Sequence, residues 1–128
     1  MIYLITGRPA TGKTSKAIEM AMALDQSKPV YTNIVDNTSD KSYLPKSFKK
    51  IPCDDWTLID EPAFIIYDGC EYMPSFCANS KTISHQVNEL LLHRHFNHDI
   101  VFIFQHEKFA HEVIRSCAQH IYLDEPYR

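Results

Sequence analysis

The segment GRPATGKT, residues 7–14, restricts the possible folds more than any other part of the chain. It fits the pattern G-x-x-x-x-G-K-[ST]. In that pattern glycines let a loop wrap closely and turn its backbone N–H groups inward. Such a loop has to leave a buried strand and enter a helix, whose positive N-terminal end adds to the field. Both flanks comply. MIYLIT (1–6) is a continuous apolar run of strand-forming residues, suited to a strand covered on both faces. From Thr14 onward, Ala17, Ile18, Ala21, Met22 and Leu24 recur every three or four residues, which predicts a helix to about residue 26. Gly7, Arg8, Pro9, Ala10, Thr11, Gly12, Lys13, Thr14 and Ser15 therefore read as a polyphosphate cradle. Lys13 would supply a point charge to the β- and γ-phosphates, and the Thr14 hydroxyl would bind Mg²⁺.

The rest of the chain supports an α/β arrangement. PVYTNI (29–34) reads as a second strand. Residues 36–55 are polar and contain proline, and are expected to form a long loop with room for one helical turn. Lys41, Lys46, Lys49 and Lys50 lie in that region and read as a solvated surface rather than a binding patch. A strand is expected at 63–68, after the break at Pro62, followed by a loop, SFCANSKTI. ISHQVNELLLHRHF (83–96) reads as a helix with Val87, Leu90 and Leu91 on one face. DIVFIFQ (99–105) reads as a strand, KFAHEVIRSCAQ (108–119) as a helix and HIYL as a last strand. Alternating strands and helices argue for a parallel sheet covered on both faces. The 128 residues suffice for one domain with one core.

Charge and composition remove several function classes. A formal net charge of −3 predicts no whole-molecule attraction to nucleic acid or anionic lipid. No apolar run approaches the roughly 20 residues of a membrane helix, and MIYLITG lacks the basic start of a signal peptide. Cys53, Cys70, Cys77 and Cys117 show no CxxC spacing and read as reduced thiols, not zinc ligands. His93, His95 and His98 are not taken as a metal site, because residues 93 and 95 of a helix point in different directions.

A bound triphosphate with Mg²⁺ needs a second carboxylate near the metal. Asp68 closes the apolar run AFIIY, so it is placed at the carboxyl edge of the sheet, where open α/β sheets bind ligands. An ionised Asp is costly there without a partner, and a Mg²⁺ shell would stabilise it. Asp68 reads as the Walker B carboxylate. Gln105 ends the next expected strand, and its amide could sense the γ-phosphate or orient a water.

MIYLITGRPATGKT, VYTNI, FIIYDGCEYMP and LLLHRHFNHDIVFIFQHEKFAHEVIRSCAQHIY, in this order and spacing, resemble the N-terminal ATPase domain of the zonular occludens toxin family. That family includes the assembly (morphogenesis) proteins of filamentous phages. The resemblance covers nearly the whole chain. It implies a P-loop NTPase three-layer sandwich with a mainly parallel sheet, related to the additional-strand, RecA- and FtsK/HerA-like translocases. It further implies that residues 1–128 are the cytoplasmic domain of a longer, membrane-anchored protein. Such a protein would use ATP and Mg²⁺ to drive virion assembly and export at the cytoplasmic face of the bacterial inner membrane. Its implied partners are further copies of itself, inner-membrane assembly proteins, and phage DNA or coat protein. By the same resemblance, Gly7, Gly12, Lys13 and Thr14 match the phosphate loop, Asp68 the Walker B aspartate and Gln105 the polar residue after the following strand. Arg94 matches the arginine of the HRH segment.

One position departs from the family pattern. Family members usually follow the Walker B aspartate with a glutamate, the catalytic base; here that position is Gly69. Glu71 is the candidate replacement if the chain turns at Gly69, and Glu61 is a weaker one. Arg94 and Arg115 are candidates for stabilising charge on the γ-phosphate of a neighbouring subunit. Three functions stay open: a motor-type ATPase, a nucleotide-gated assembly module with little hydrolysis, and a small-molecule kinase. The kinase ranks lowest because arginine occurs only at 8, 94, 115 and 128, with no lid-like cluster.

Overall fold

A computed structural model describes residues 1–8, 12–24, 28–34, 47–79, 83–91 and 97–123. Among the described residues, six strands and three α-helices are the main elements: β1 Ile2–Gly7, α1 Lys13–Leu24, β2 Val30–Thr32, β3 Lys49–Lys50, β4 Phe64–Tyr67, α2 His85–Leu90, β5 Asp99–Ile103, α3 Glu112–Cys117 and β6 Gln119–Leu123. The strands form one sheet in the order β3-β2-β4-β5-β1-β6. Every pairing is parallel. Parallel neighbours need crossover connections, and these place helices on the faces of the sheet.

The apolar runs are continuous because both faces are covered. On one face Ile5, Phe64, Ile66, Val101 and Ile103 pack with Ala17 and Ala21 of α1. On the other, Ile2, Leu4, Ile65, Tyr67, Ile100 and Phe102 pack with Val87 and Leu90 of α2 and Ile114 of α3. Alternate residues of each central strand thus serve opposite layers. The result is a three-layer α/β sandwich.

The aromatic centre lies on the α2/α3 side. Tyr67 stacks on Phe102 with ring centroids 5.7 Å apart, and Phe76 meets both rings at 4.8 and 4.9 Å. The buried Tyr67 hydroxyl is within hydrogen-bond reach of the Asp54 carbonyl (2.9 Å) and Gln86 Oε1 (3.1 Å). Burial raises its pKa far above the ordinary tyrosine value.

Several expected boundaries move. The helix expected over 108–119 is a 3₁₀ turn at Glu107–Phe109, a break, and then α3. The break exists because Ala110 forms an isolated antiparallel bridge with Cys77. The strand expected to reach residue 105 ends at Ile103. The region read as a loop over 36–55 contains β3, followed by a 3₁₀ turn at Pro52–Asp54. The loop after Met73 begins with another 3₁₀ turn, Pro74–Phe76. Lys41, Lys46, His93, Arg94, His95 and the far ends of the helices expected to reach residues 26 and 96 lie outside the described residues. Among the described residues, no helix is long and apolar enough to cross a membrane.

Candidate functional site

β5 lies between β4 and β1, so the strand leading into Asp68 does not pair with the strand that launches the loop over residues 7–14. Their carboxyl ends still converge. The Thr14 hydroxyl donates to Asp68 Oδ2 at 2.9 Å. Two residues 54 positions apart, both expected as Mg²⁺ ligands, therefore meet above the edge of the sheet.

Each partner is held locally. Gly12 stands at φ 80°, a left-handed conformation that glycine adopts without steric cost. Its carbonyl accepts the Lys16 N–H at 2.9 Å, opening the first turn of α1. Lys13, Thr14 and Ser15 are the first three residues of that helix. The Lys13 ammonium donates to the Gly7 and Arg8 carbonyls, at 3.0 Å each, so its charge sits over the start of the loop. Pro9, Ala10 and Thr11 lie outside the described residues, as does Arg94.

Asp68 is fixed on several sides. Its Oδ1 accepts the Gly69 N–H at 2.9 Å. Its own N–H donates to Asn33 Oδ1 at 2.7 Å, and its carbonyl accepts from Asn33 Nδ2 at 2.9 Å. Asn33 follows β2, and its side-chain amide continues the β2–β4 ladder by one residue. Sequence reading missed this clamp. A polar residue after a short strand is ordinary, and only the β2–β4 pairing reveals what it faces.

Gly69 lies at φ 67°, ψ 37° and starts the 3₁₀ turn Cys70–Tyr72, which contains Glu71. That turn carries Glu71 into a cavity of about 310 Å³ lined also by Cys77, Ala78, Asn79, Lys108 and Phe109. Glu71 Oε2 is buried there without a hydrogen-bond partner among the described residues. A separate cavity of about 370 Å³ lies at the start of the loop, lined by Gly7, Arg8, Gln105, Lys108, Phe109 and Tyr122 among others. The two share Lys108 and Phe109. Glu71 and the loop thus lie on either side of one 3₁₀ turn.

Gln105 is exposed, and its carbonyl accepts the Gly7 N–H at 3.3 Å. This bond ties the segment after β5 to the mouth of the loop. A second tie runs from Glu107 to His120 Nδ1 (3.4 Å) and from His120 Nε2 to the buried Thr6 hydroxyl (2.6 Å). Glu61 is engaged elsewhere, accepting from Tyr31 (2.9 Å) and Lys49 (3.3 Å). Those hydrogen bonds lower its pKa. Arg115 is exposed on α3.

Residues 1–125 match the family described as Zonular occludens toxin (Zot). The chain belongs to the zonular occludens toxin family. Within it, the chain is similar to the ORF301 product of Pseudomonas phage Pf3, which its name designates provisionally as an assembly protein. The two are 36% identical across 96% of this chain. The chain spans 42% of the length of that curated relative. It is also similar to the crystal structure of the N-terminal domain of zonular occludens toxin from Neisseria meningitidis, with a TM-score of 0.69 and 25% identity. That match covers 94% of this chain and 75% of the other. Gly69 follows Asp68 directly, and the next carboxylate, Glu71, comes after its left-handed bend.

Proposed function

We propose that this domain binds a Mg²⁺–nucleoside triphosphate, ATP in the first instance, at residues 7–15 and hydrolyses it to drive filamentous phage assembly. The observation that carries this reading is the 2.9 Å contact between Thr14 and Asp68 across an intervening strand. A hydroxyl and a carboxylate held together beside a lysine and a helix start are the donor set that Mg²⁺ and phosphate oxygens require. Thr14 and Asp68 would hold the metal. Bound there, Mg²⁺ would neutralise charge that develops on the transferred phosphoryl group. Lys13 would exchange its two carbonyl partners for phosphate oxygens. Gln105, held to Gly7 through its own carbonyl, would orient the attacking water or sense the γ-phosphate.

The similarity to the Pf3 protein and the family membership support virion assembly as the task. We place the domain at the cytoplasmic face of the inner membrane, in a homo-oligomer of the longer protein. Its partners there would be membrane assembly proteins and phage DNA or coat protein. Arg94 or Arg115 would reach a neighbouring subunit's nucleotide.

Calorimetry with Mg·ATP and a phosphate-release assay test the reading. Binding is expected in the wild type and lost in Lys13→Ala. Asp68→Asn is expected to retain nucleotide but lose most of the Mg²⁺ dependence. No heat with Mg·ATP or Mg·GTP would end the proposal.

A second reading, binding with little hydrolysis, is favoured by one observation. Glu71 lines a cavity other than the one beside the phosphate loop. A general base has to come within about 3 Å of its water. If Glu71 swings into that role, Glu71→Gln lowers phosphate release at least about tenfold. An unchanged rate removes Glu71 from the chemistry.

A further inference from the structure

We infer that the cavity beside the phosphate loop is a nucleobase subsite, with Tyr122 as the platform on which a purine stacks. The inference rests on the nucleotide reading above and adds the part of the ligand that the loop itself cannot recognise. Gly7 and Arg8, at the start of the loop, line the same cavity as Tyr122 and Phe109. One molecule that combines a polyphosphate with a flat ring can therefore occupy both.

β6 pairs with β1 in a register that sets Tyr122 opposite Thr6 and Leu123 opposite Gly7. Tyr122 is thus at the carboxyl edge of the sheet, one residue before the level at which the loop begins. Tyr122 is 57% exposed. Phe109, on the facing turn, is 42% exposed. Two large aromatic rings facing water across a cavity of about 370 Å³ lose apolar exposure when a third ring enters between them. The Phe109 ring is already engaged: Lys108 Nζ lies 5.2 Å from its centroid, and the His106 ring meets it edge-on at 6.4 Å. These contacts set Phe109 as a wall. Among the described residues no ring or cation contact engages Tyr122, and it presents its ring to the cavity.

The flanking chemistry suits a nucleotide better than a purely apolar ligand. Arg8 and Lys108 line the same space, so it carries positive charge suited to a ribose–phosphate group. Stacking on an aromatic face tolerates every base but grows with ring area. The subsite is therefore expected to favour purine over pyrimidine triphosphates while separating adenine from guanine only weakly.

The test compares Mg·ATP with Mg·tripolyphosphate, which has the phosphates and no base, by calorimetry on the wild type, Tyr122→Ala, Tyr122→Phe and Lys13→Ala. The wild type is expected to bind ATP about tenfold more tightly than tripolyphosphate. Tyr122→Ala is expected to remove most of that difference by loosening ATP alone, and Tyr122→Phe to keep it. Unchanged tripolyphosphate affinity in Tyr122→Ala also reports that the variant is folded. Equal affinity of the wild type for both ligands, or equal loosening of both by Tyr122→Ala, overturns the subsite and leaves the phosphate cradle standing. Failure of both ligands to bind, or binding indifferent to Lys13→Ala, overturns the nucleotide reading itself.

Discussion

Gly69 occupies a backbone conformation that decides which side chain can follow Asp68. At φ 67° a residue with a Cβ is strained by about 1 kcal/mol or more, although a Cβ there would come no closer than 3.8 Å to Tyr72. The strain lies in the backbone and not in crowding. Gly69→Glu is expected to lower unfolding free energy by about 1 kcal/mol in urea titrations. An unchanged midpoint would mean that the turn relaxes to a right-handed path. Asn33 acts on the same aspartate from the other side. Asn33→Ala removes both side-chain hydrogen bonds to the Asp68 backbone, so the carboxylate is no longer held against Thr14. Nucleotide affinity measured with Mg²⁺ is expected to fall roughly tenfold, about the energy of one lost hydrogen bond. Affinity measured in EDTA is expected to stay constant. Equal loss in both conditions would make Asn33 a fold residue only.

The central strands were legible because burial on both faces requires uninterrupted apolar runs, and FIIY and DIVFI supply them. β3 was not legible. Its two residues are exposed lysines, and strand pairing with β2 through the backbone leaves no apolar trace. α3 is shorter than the helix expected over 108–119 because the Cys77–Ala110 bridge interrupts that stretch, a contact that leaves no local trace in the sequence. The segment around Phe76 looked like a plain loop but carries a core ring against Tyr67 and Phe102. That ring anchors the stretch that closes the Glu71 cavity. Phe76→Ala is expected to destabilise the domain by about 3–5 kcal/mol, read from denaturant unfolding. A loss under about 1 kcal/mol would show that Phe76 is not part of the cooperative core.

Stability of the whole domain should depend on pH through His98, which is 2% exposed. Its Nδ1 accepts the Ala63 N–H at 3.2 Å, so the neutral ring is the one that fits. Burial, its largest influence, holds the pKa below the ordinary histidine value. The unfolded chain takes up a proton near pH 6.5, while the folded chain resists protonation until lower pH. Stability from this group is therefore complete above about pH 6.5 and declines as pH falls toward the folded pKa. The urea midpoint is expected to drop between pH 7.5 and 5.5, with a flatter profile in His98→Asn. Equal profiles would assign the pH dependence to other groups. By itself the sequence determined the layered α/β class, the glycine-bounded loop after the first strand and the acidic strand end, because each is written in local spacing or in an apolar run. Only the tertiary structure decided that β5 separates the two strands, that Asn33 grips Asp68, that Glu71 lies behind the Lys108–Phe109 turn and that Tyr122 stands beside the loop. Those facts depend on strand order and register, which join residues far apart in the chain and leave no periodic signal along it.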